Sequence, residues 1–174
     1  MANRIRLRVR TFPRVPIFPL EDDALGERLW SDLIERLARS PVRPAAIMLR
    51  GEVAHVVDLA PLTEEPRLAH QRVAGLCAVE GVEALALVGP LFRRRRGGAA
   101  ERFAVVFVEW TDGRWWFGQR RLTDAGSIFP GSEDEIQRAV DGAPRPGGLG
   151  GWFSRARFEN MKTSFESADE GLVN

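Results

Sequence analysis

The chain has 174 residues, of which 44% are hydrophobic and 28% charged, a composition that is ordinary for a single folded domain with a true core. Its formal net charge of +1 excludes a strong overall field toward nucleic acid, and its single cysteine, Cys77, excludes an internal disulfide. We expect a cytoplasmic protein, because no apolar run reaches the roughly 18 residues of a membrane span and arginines interrupt the N-terminal apolar residues.

The first predicted element is a strand over residues 4–10, where arginines alternate with apolar residues. Four guanidinium groups therefore share one side of this strand and form a candidate anion-binding row: Arg4, Arg6, Arg8 and Arg10. Three interpretations stay open. The row is the charged face of an edge strand that discourages association with other strands, a surface for an acidic partner, or a track for nucleic acid. The proline-rich segment that follows predicts a rigid connector.

A helix is predicted from Asp22 or Asp23 to Leu37, because leucines recur at every fourth position and charged residues take the other side. Two strands with the sequences AAIMLR and VAHVVDL follow, and Gly51-Glu52 predicts a hairpin between them. A second helix is expected near residues 64–80. Its apolar stripe includes Cys77, which we expect to be buried and inert.

Two further runs predict buried strands, VEALALVGPLF and RFAVVFVEW. The segment RRRRGGAA between them is predicted to be a loop that presents Arg93, Arg94, Arg95 and Arg96. This cluster either holds phosphate oxygens or is a solvated loop in an arginine-rich chain.

The segment EWTDGRWW predicts a tight hairpin, since Asp112-Gly113 suits a two-residue type I′ turn. That turn would pair Trp110 with Trp115 and Glu109 with Trp116. Glu109 is expected at the rim of the sheet, with a buried ion pair to Arg120 as the alternative.

Both faces of this hairpin are apolar, and if helices cover only one of them, the other is an exposed patch that binds a protein. The alternative is that both faces are covered. The candidate partner-binding residues here are Trp110, Trp115, Trp116 and Phe117.

Ser132, with Glu135 three residues later, predicts a capping box and a helix that ends near Val140. The globular domain would then span residues 1–141, a Pro/Gly linker 142–151, and a partly helical tail 152–174. The tail carries further candidate anchors that dock on the domain itself or on a partner: Trp152, Phe153, Phe158, Met161 and Phe165.

These elements predict a mixed α+β fold of order β-α-β-β-α-β-β-β-α, with a five- to six-stranded, mostly antiparallel sheet and two to three helices. The order from residue 23 to 141 resembles that of Roadblock-type domains, which are small dimeric modules that regulate GTPases or act as scaffolds. With the first strand added, the order is also similar to that of JAB/MPN-type domains, whose active members are zinc isopeptidases. In those members a strand ending in Val-Gly precedes a His-x-His pair. Here Val88-Gly89 is followed by proline, leucine and phenylalanine.

No catalytic, metal or cofactor site is predicted, because His55 and His70 are the only histidines and no phosphate-binding or nucleophile motif is present. The first functional hypothesis is a non-enzymatic interaction module, an adaptor or assembly subunit with a protein partner or a second copy of itself. The second is a nucleic-acid-binding accessory protein that uses the two arginine clusters. The third is an enzyme whose reaction and small-molecule substrate the sequence does not identify.

Overall fold

The computed structural model describes residues 8–13, 22–62, 66–94, 98, 100–139 and 153. Those residues contain two α-helices, one short 3-10 helix and seven strands. In chain order the elements are β1 (Val9–Pro13), α1 (Asp22–Leu37), β2 (Ala45–Arg50), β3 (Val53–Asp58), the 3-10 helix (Ala60–Leu62), α2 (Pro66–Cys77), β4 (Val82–Arg94), β5 (Ala100–Trp110), β6 (Trp115–Leu122) and β7 (Glu135–Ala139).

The strands form one open sheet in the order β1-β3-β2-β4-β5-β6-β7, and every neighbouring pair is antiparallel. The predicted α+β class with an antiparallel sheet is therefore confirmed, but the sheet has seven strands where five or six were predicted. Helix α1 follows the leucine repeat closely, and the β2–β3 hairpin turns at Gly51, whose φ is +53°.

The predicted third helix is wrong, because residues 135–139 form strand β7 at the edge of the sheet. Ser132 does not cap a helix. Its backbone nitrogen and its hydroxyl both donate to the carbonyl of Phe129, and this closes a turn before the strand. Pairing with β6 thus prevails over the local capping signal, and the similarity in element order to Roadblock-type domains fails at its last element.

The sheet has two covered faces, and each carries its own core cluster. On the first, the α1 face, Leu25, Leu29 and Leu33 pack with Val106 and Trp116. The second, the α2 face, joins Val73 and Cys77 to Phe107 and to Phe153, the one described residue beyond β7. Because each face buries apolar side chains, the central strands β4 and β5 are apolar on both sides.

The register of the β5–β6 hairpin differs by one residue from the prediction. Glu109 pairs with Trp115 and Val108 with Trp116, since Trp110 pairs with Arg114 across a three-residue loop. The predicted type I′ turn is wrong because Asp112 has a negative φ and only Gly113 has a positive one, at +90°. A type I turn followed by a glycine bulge fits these angles. The slip moves Trp115 and Phe117 to the α2 face.

Glu109 is buried at 1% exposure, so its predicted place at the rim is wrong. It lies between Leu85 and Trp115 in neighbouring strands. Arg120, the suggested alternative partner, instead donates to Asp134 at 3.2 Å.

Candidate functional site

The four aromatic residues of the hairpin do not form the exposed patch that was expected of them. Trp110, Trp115, Trp116 and Phe117 are each 7% exposed or less and are divided between the two faces. The alternative interpretation, in which both faces are covered, is the correct one for these side chains. These four side chains belong to the core and do not form an open contact surface.

Of the predicted tail anchors, Phe153 is described and is only 6% exposed, packed into the α2-face cluster. This burial favours docking of that residue on its own domain. Trp152, Phe158, Met161 and Phe165 lie outside the described residues, as does the predicted linker at 142–151.

The predicted arginine row falls at the β1 edge of the sheet. Arg8 and Arg10 are exposed there, whereas Arg4 and Arg6 lie outside the described residues. Strand β1 starts later than expected, and Val9, which alternation assigned to the covered side, is 56% exposed.

The second arginine cluster is not wholly in a loop. Strand β4 continues through Arg93 and Arg94, whose backbones pair with Glu101 and Ala100 of β5. Arg95 and Arg96 lie outside the described residues. The β4–β5 hairpin is therefore longer than predicted.

A groove of about 480 Å³ opens where β5 begins and β6 ends. Its walls include Glu101, Arg102, Arg121, Asp124 and Phe129, and Phe92 lies beside it in β4. We refer to the groove together with Phe92 as the arginine–aromatic groove. No sequence pattern predicts this groove, because strand pairing brings together residues that are up to 37 positions apart.

Each exposed aromatic ring of the groove has a guanidinium group over it. The Arg121 guanidinium carbon lies 4.5 Å from the centre of the Phe129 ring, and that of Arg102 lies 5.4 Å from the centre of the Phe92 ring. Such stacks are stabilising by about 0.5–1 kcal/mol at exposed sites. The rings stay accessible nonetheless, since Phe92 is 66% and Phe129 39% exposed.

One hydrogen bond holds Arg102, and one ion pair holds Arg121. Arg102 donates to the carbonyl of Asp124 at 3.2 Å, and Arg121 lies 3.6 Å from a carboxylate oxygen of Glu101. By register Arg102 and Arg121 lie on opposite faces of the sheet, so the groove bends around its end. The two cations face Glu101 and Asp124, which leaves the described wall without a net charge.

The connection after β6 positions Phe129. Gly126 donates to the carbonyl of Thr123, Thr123 donates to Ser127, and Phe129 donates to the carbonyl of Arg121. Gly126 has a φ of +87°, a conformation that side chains with a Cβ rarely adopt, and its open Cα side faces the Arg102 guanidinium. The turn therefore holds Phe129 and Arg102 in a fixed relation.

The surroundings of Cys77 and His55 favour structural roles for both side chains. Burial, and to a lesser degree the charge of Glu109, raises the pKa of Cys77 to about 12, so that the thiol stays protonated at neutral pH. His55 shares a hydrogen bond of 2.9 Å with Thr11 across the β1–β3 pair. Across the described ranges, His, Cys, Asp and Glu side chains form no cluster that could hold a metal ion.

Neither of the described α-helices has the length and apolar character needed to cross a bilayer. Comparisons of the chain with known protein families, with curated proteins and with solved structures found no match.

Proposed function

We propose that the chain is a non-enzymatic protein-interaction module, a cytoplasmic adaptor or assembly subunit, and that it binds a protein partner at the arginine–aromatic groove. One observation carries this proposal. Phe92 and Phe129 expose large apolar rings at an open groove, whereas Phe107 and the four hairpin aromatics in the middle of the sheet are buried. Aromatic and arginine side chains are the types that dominate the energy of protein interfaces.

The geometry also suits binding because the groove is already ordered. Arg102 and Arg121 already contact a carbonyl, a carboxylate and the two rings, so part of their side-chain freedom is lost before a partner arrives. The balanced charge of the described wall favours a partner with both apolar and polar groups over a strongly anionic one.

The proposed contact surface does not include the hairpin aromatics, because they are buried in the core. Among the predicted tail anchors, Trp152, Phe158, Met161 and Phe165 stay candidates for a second contact with the same partner. No reaction is assigned to the described residues.

The test compares the full chain with two variants in affinity capture, followed by titration of the purified partner. Phe92→Ser combined with Phe129→Ser removes both rings. Val79→Ser is the matched control, because Val79 is 39% exposed between α2 and β4, at the opposite end of β4 from Phe92. We expect the double variant to bind the partner at least about 30-fold more weakly, in keeping with losses of 2 kcal/mol or more at interface hot spots. Equal affinities of the two variants for every captured protein would refute the proposal.

A second candidate, binding of single-stranded nucleic acid, is favoured by the position of Arg93 and Arg94 on the strand that carries Phe92. Arginines next to exposed rings are typical of platforms on which bases stack. Anisotropy of a labelled oligonucleotide at low salt tests this candidate, with Arg8→Ser/Arg10→Ser and Arg93→Ser/Arg94→Ser as separate variants. Binding that falls steeply with added salt supports it, and no binding at low salt ends it.

A further inference from the structure

We propose that strand β7 pairs with β7 of a second copy of this chain, antiparallel and about a two-fold axis at Ile136, so that the two sheets become continuous. This contact is independent of the arginine–aromatic groove. Strand β7 is the last strand of the sheet order, and its described side chains are exposed from Glu135 to Arg138. An edge strand of this kind presents backbone donors and acceptors that another strand can use.

The side chains of β7 are self-complementary in this register. A two-fold axis through Ile136 places it opposite the Ile136 of the second copy, and it places Asp134 opposite Arg138 on both sides of the axis. Opposite charges and apolar pairs at directly opposed positions each contribute roughly 0.2–1 kcal/mol. On the other face, Glu135 comes opposite Gln137, a carboxylate opposite an amide donor.

Ile136 is 46% exposed, although its partner in β6, Gly118, has the rings of Trp116 and Trp30 over it. The second copy would cover this residue from the outer side. A pairing shifted by one residue, centred on Gln137, would instead set the apolar Ile136 against Arg138.

The charged groups keep capacity for the new contacts. Asp134 accepts from Trp30 at 3.0 Å and from Arg120 at 3.2 Å, and a carboxylate has about four acceptor positions. Arg138 lies 3.5 Å from Glu27, and both side chains of that ion pair are more than half exposed. An exposed pair of this kind is worth little and can share its guanidinium with a second carboxylate.

At the other edge of the sheet, charge opposes two of the registers in which β1 could pair with itself. A two-fold axis at Val9 sets Arg8 against Arg10, and one at Arg10 sets two copies of that arginine against each other, where like charges repel. Pro13 also removes a backbone donor from β1. Pairing β1 of one copy with β7 of the next would give an open-ended chain, whereas pairing of β7 with itself closes at a dimer.

Sedimentation equilibrium of the full chain over a range of concentrations tests the proposal. We expect the average mass to rise from one chain toward two. Arg138→Asp places like charges opposite each other on both sides of the axis, and it should weaken association at least about tenfold. Glu27→Gln is the matched control, because it removes the same intrachain ion pair and leaves β7 unchanged. It should associate like the original chain.

Disulfide trapping tests the register separately. Directly opposed residues in an antiparallel pair have Cα atoms about 4.5–5.5 Å apart, which suits a disulfide. Under mild oxidation Ile136→Cys should give a covalent dimer much faster than Gln137→Cys, and Cys77, being buried, should not interfere. A single-chain mass at all concentrations would overturn the proposal. So would association that Arg138→Asp leaves intact, or trapping at 137 as fast as at 136.

Discussion

The indole of Trp116 shows how single residues set the packing of this sheet. Trp116 is 1% exposed and lies between Gly26 of α1 and Gly118 of its own strand, with the Trp30 ring centre 6.4 Å away. A Cβ at either glycine would overlap the indole ring. Only glycine leaves room for the Trp116 ring at these two positions, and the distance between α1 and the sheet depends on them.

The first prediction concerns Gly26→Ala. Alanine favours a helix by about 1 kcal/mol over glycine, but its methyl group would push α1 away from Trp116, and overpacking of this kind costs typically 1–3 kcal/mol. We expect a net loss of up to about 2 kcal/mol in the free energy of unfolding, measured by denaturant titration with tryptophan fluorescence. Gly75→Ala in α2 is the matched control, because Gly75 has open space around it and should gain up to about 1 kcal/mol. Equal stabilities of the two variants would contradict this packing.

The second prediction uses the thiol of Cys77, whose pKa burial raises from 9.0 to about 12. The folded state then holds its proton more tightly than the unfolded state. The resulting stabilisation is complete below about pH 9, and it is lost as the pH rises toward 12. The chain has no tyrosine and only one lysine, so few other groups titrate in this range.

We therefore expect the free energy of unfolding to fall between pH 9 and pH 11 in the original chain, and to fall much less in Cys77→Ala. The comparison is between slopes, because the alanine variant is also less stable at every pH. A thiol reagent at pH 8 should label the native protein far more slowly than the unfolded one. Parallel slopes for the two proteins would show that the thiol titrates normally.

At the scale of elements, the β5–β6 hairpin shows why the strands could be predicted from the sequence, whereas the sheet face on which each side chain lies could not. Asp-Gly serves both in a two-residue type I′ turn and in a type I turn with a glycine bulge. Here the Asp112 carboxylate accepts from the backbone nitrogen of Arg114 at 3.1 Å and from its Nε at 2.7 Å, contacts that hold the longer loop. One extra loop residue reverses the faces of Trp115 and Phe117, and the dipeptide alone does not decide between the two.

The third prediction tests this loop through Gly113, which has a φ of +90°. Alanine there should cost about 1–2 kcal/mol, because a Cβ disfavours that conformation. Asparagine tolerates positive φ better, so Gly113→Asn should cost less than Gly113→Ala. Thermal unfolding of the three proteins gives the order. If alanine were tolerated as well as glycine, the bulge geometry would be wrong.

Strand β7 shows the opposite failure, in which a genuine local signal gave the wrong element. Ser132 and Glu135 have the spacing of a capping box, yet Ser132 closes a turn onto Phe129 and Glu135 accepts a hydrogen bond from Gln119 of β6. Helices α1 and α2, by contrast, were predicted well because their apolar stripes repeat over several turns. A five-residue edge strand has too few positions for a period, so only its neighbour defines it.

For the whole molecule, the sequence predicts the layers but not the functional surface. Alternation and length were enough for an antiparallel sheet with helices packed on it, because burial of apolar side chains determines both. The arginine–aromatic groove depends on where β4, β5 and the turn after β6 end relative to one another, and no periodicity encodes that. The sequence does not show which aromatic side chains are exposed, and the contact surface depends on that. Trp110 and Trp115 look like anchors in composition but are sealed in the core, whereas Phe92 is exposed.

Burial of the apolar side chains on the α2 face also involves a residue far along the chain. Phe153 lies beyond the predicted linker, yet it packs in the same cluster as Phe107, Trp115 and Phe117. The sequence of the segment that carries it is compatible with docking on its own domain and with docking on a partner. A residue buried at 6% exposure in the core of its own chain contributes to folding.

The fourth prediction is that Phe153→Ala destabilises the full chain by about 3–5 kcal/mol, the usual cost of removing a buried phenylalanine ring. Phe129→Ala is the matched control, because that ring is 39% exposed at the groove and should cost less than about 1 kcal/mol. Denaturant unfolding followed by tryptophan fluorescence reports both, since Trp115 lies in the Phe153 cluster. A cost for Phe153→Ala no larger than that for Phe129→Ala would mean that the α2 face is sealed without Phe153. The segment around it would then be available for a partner.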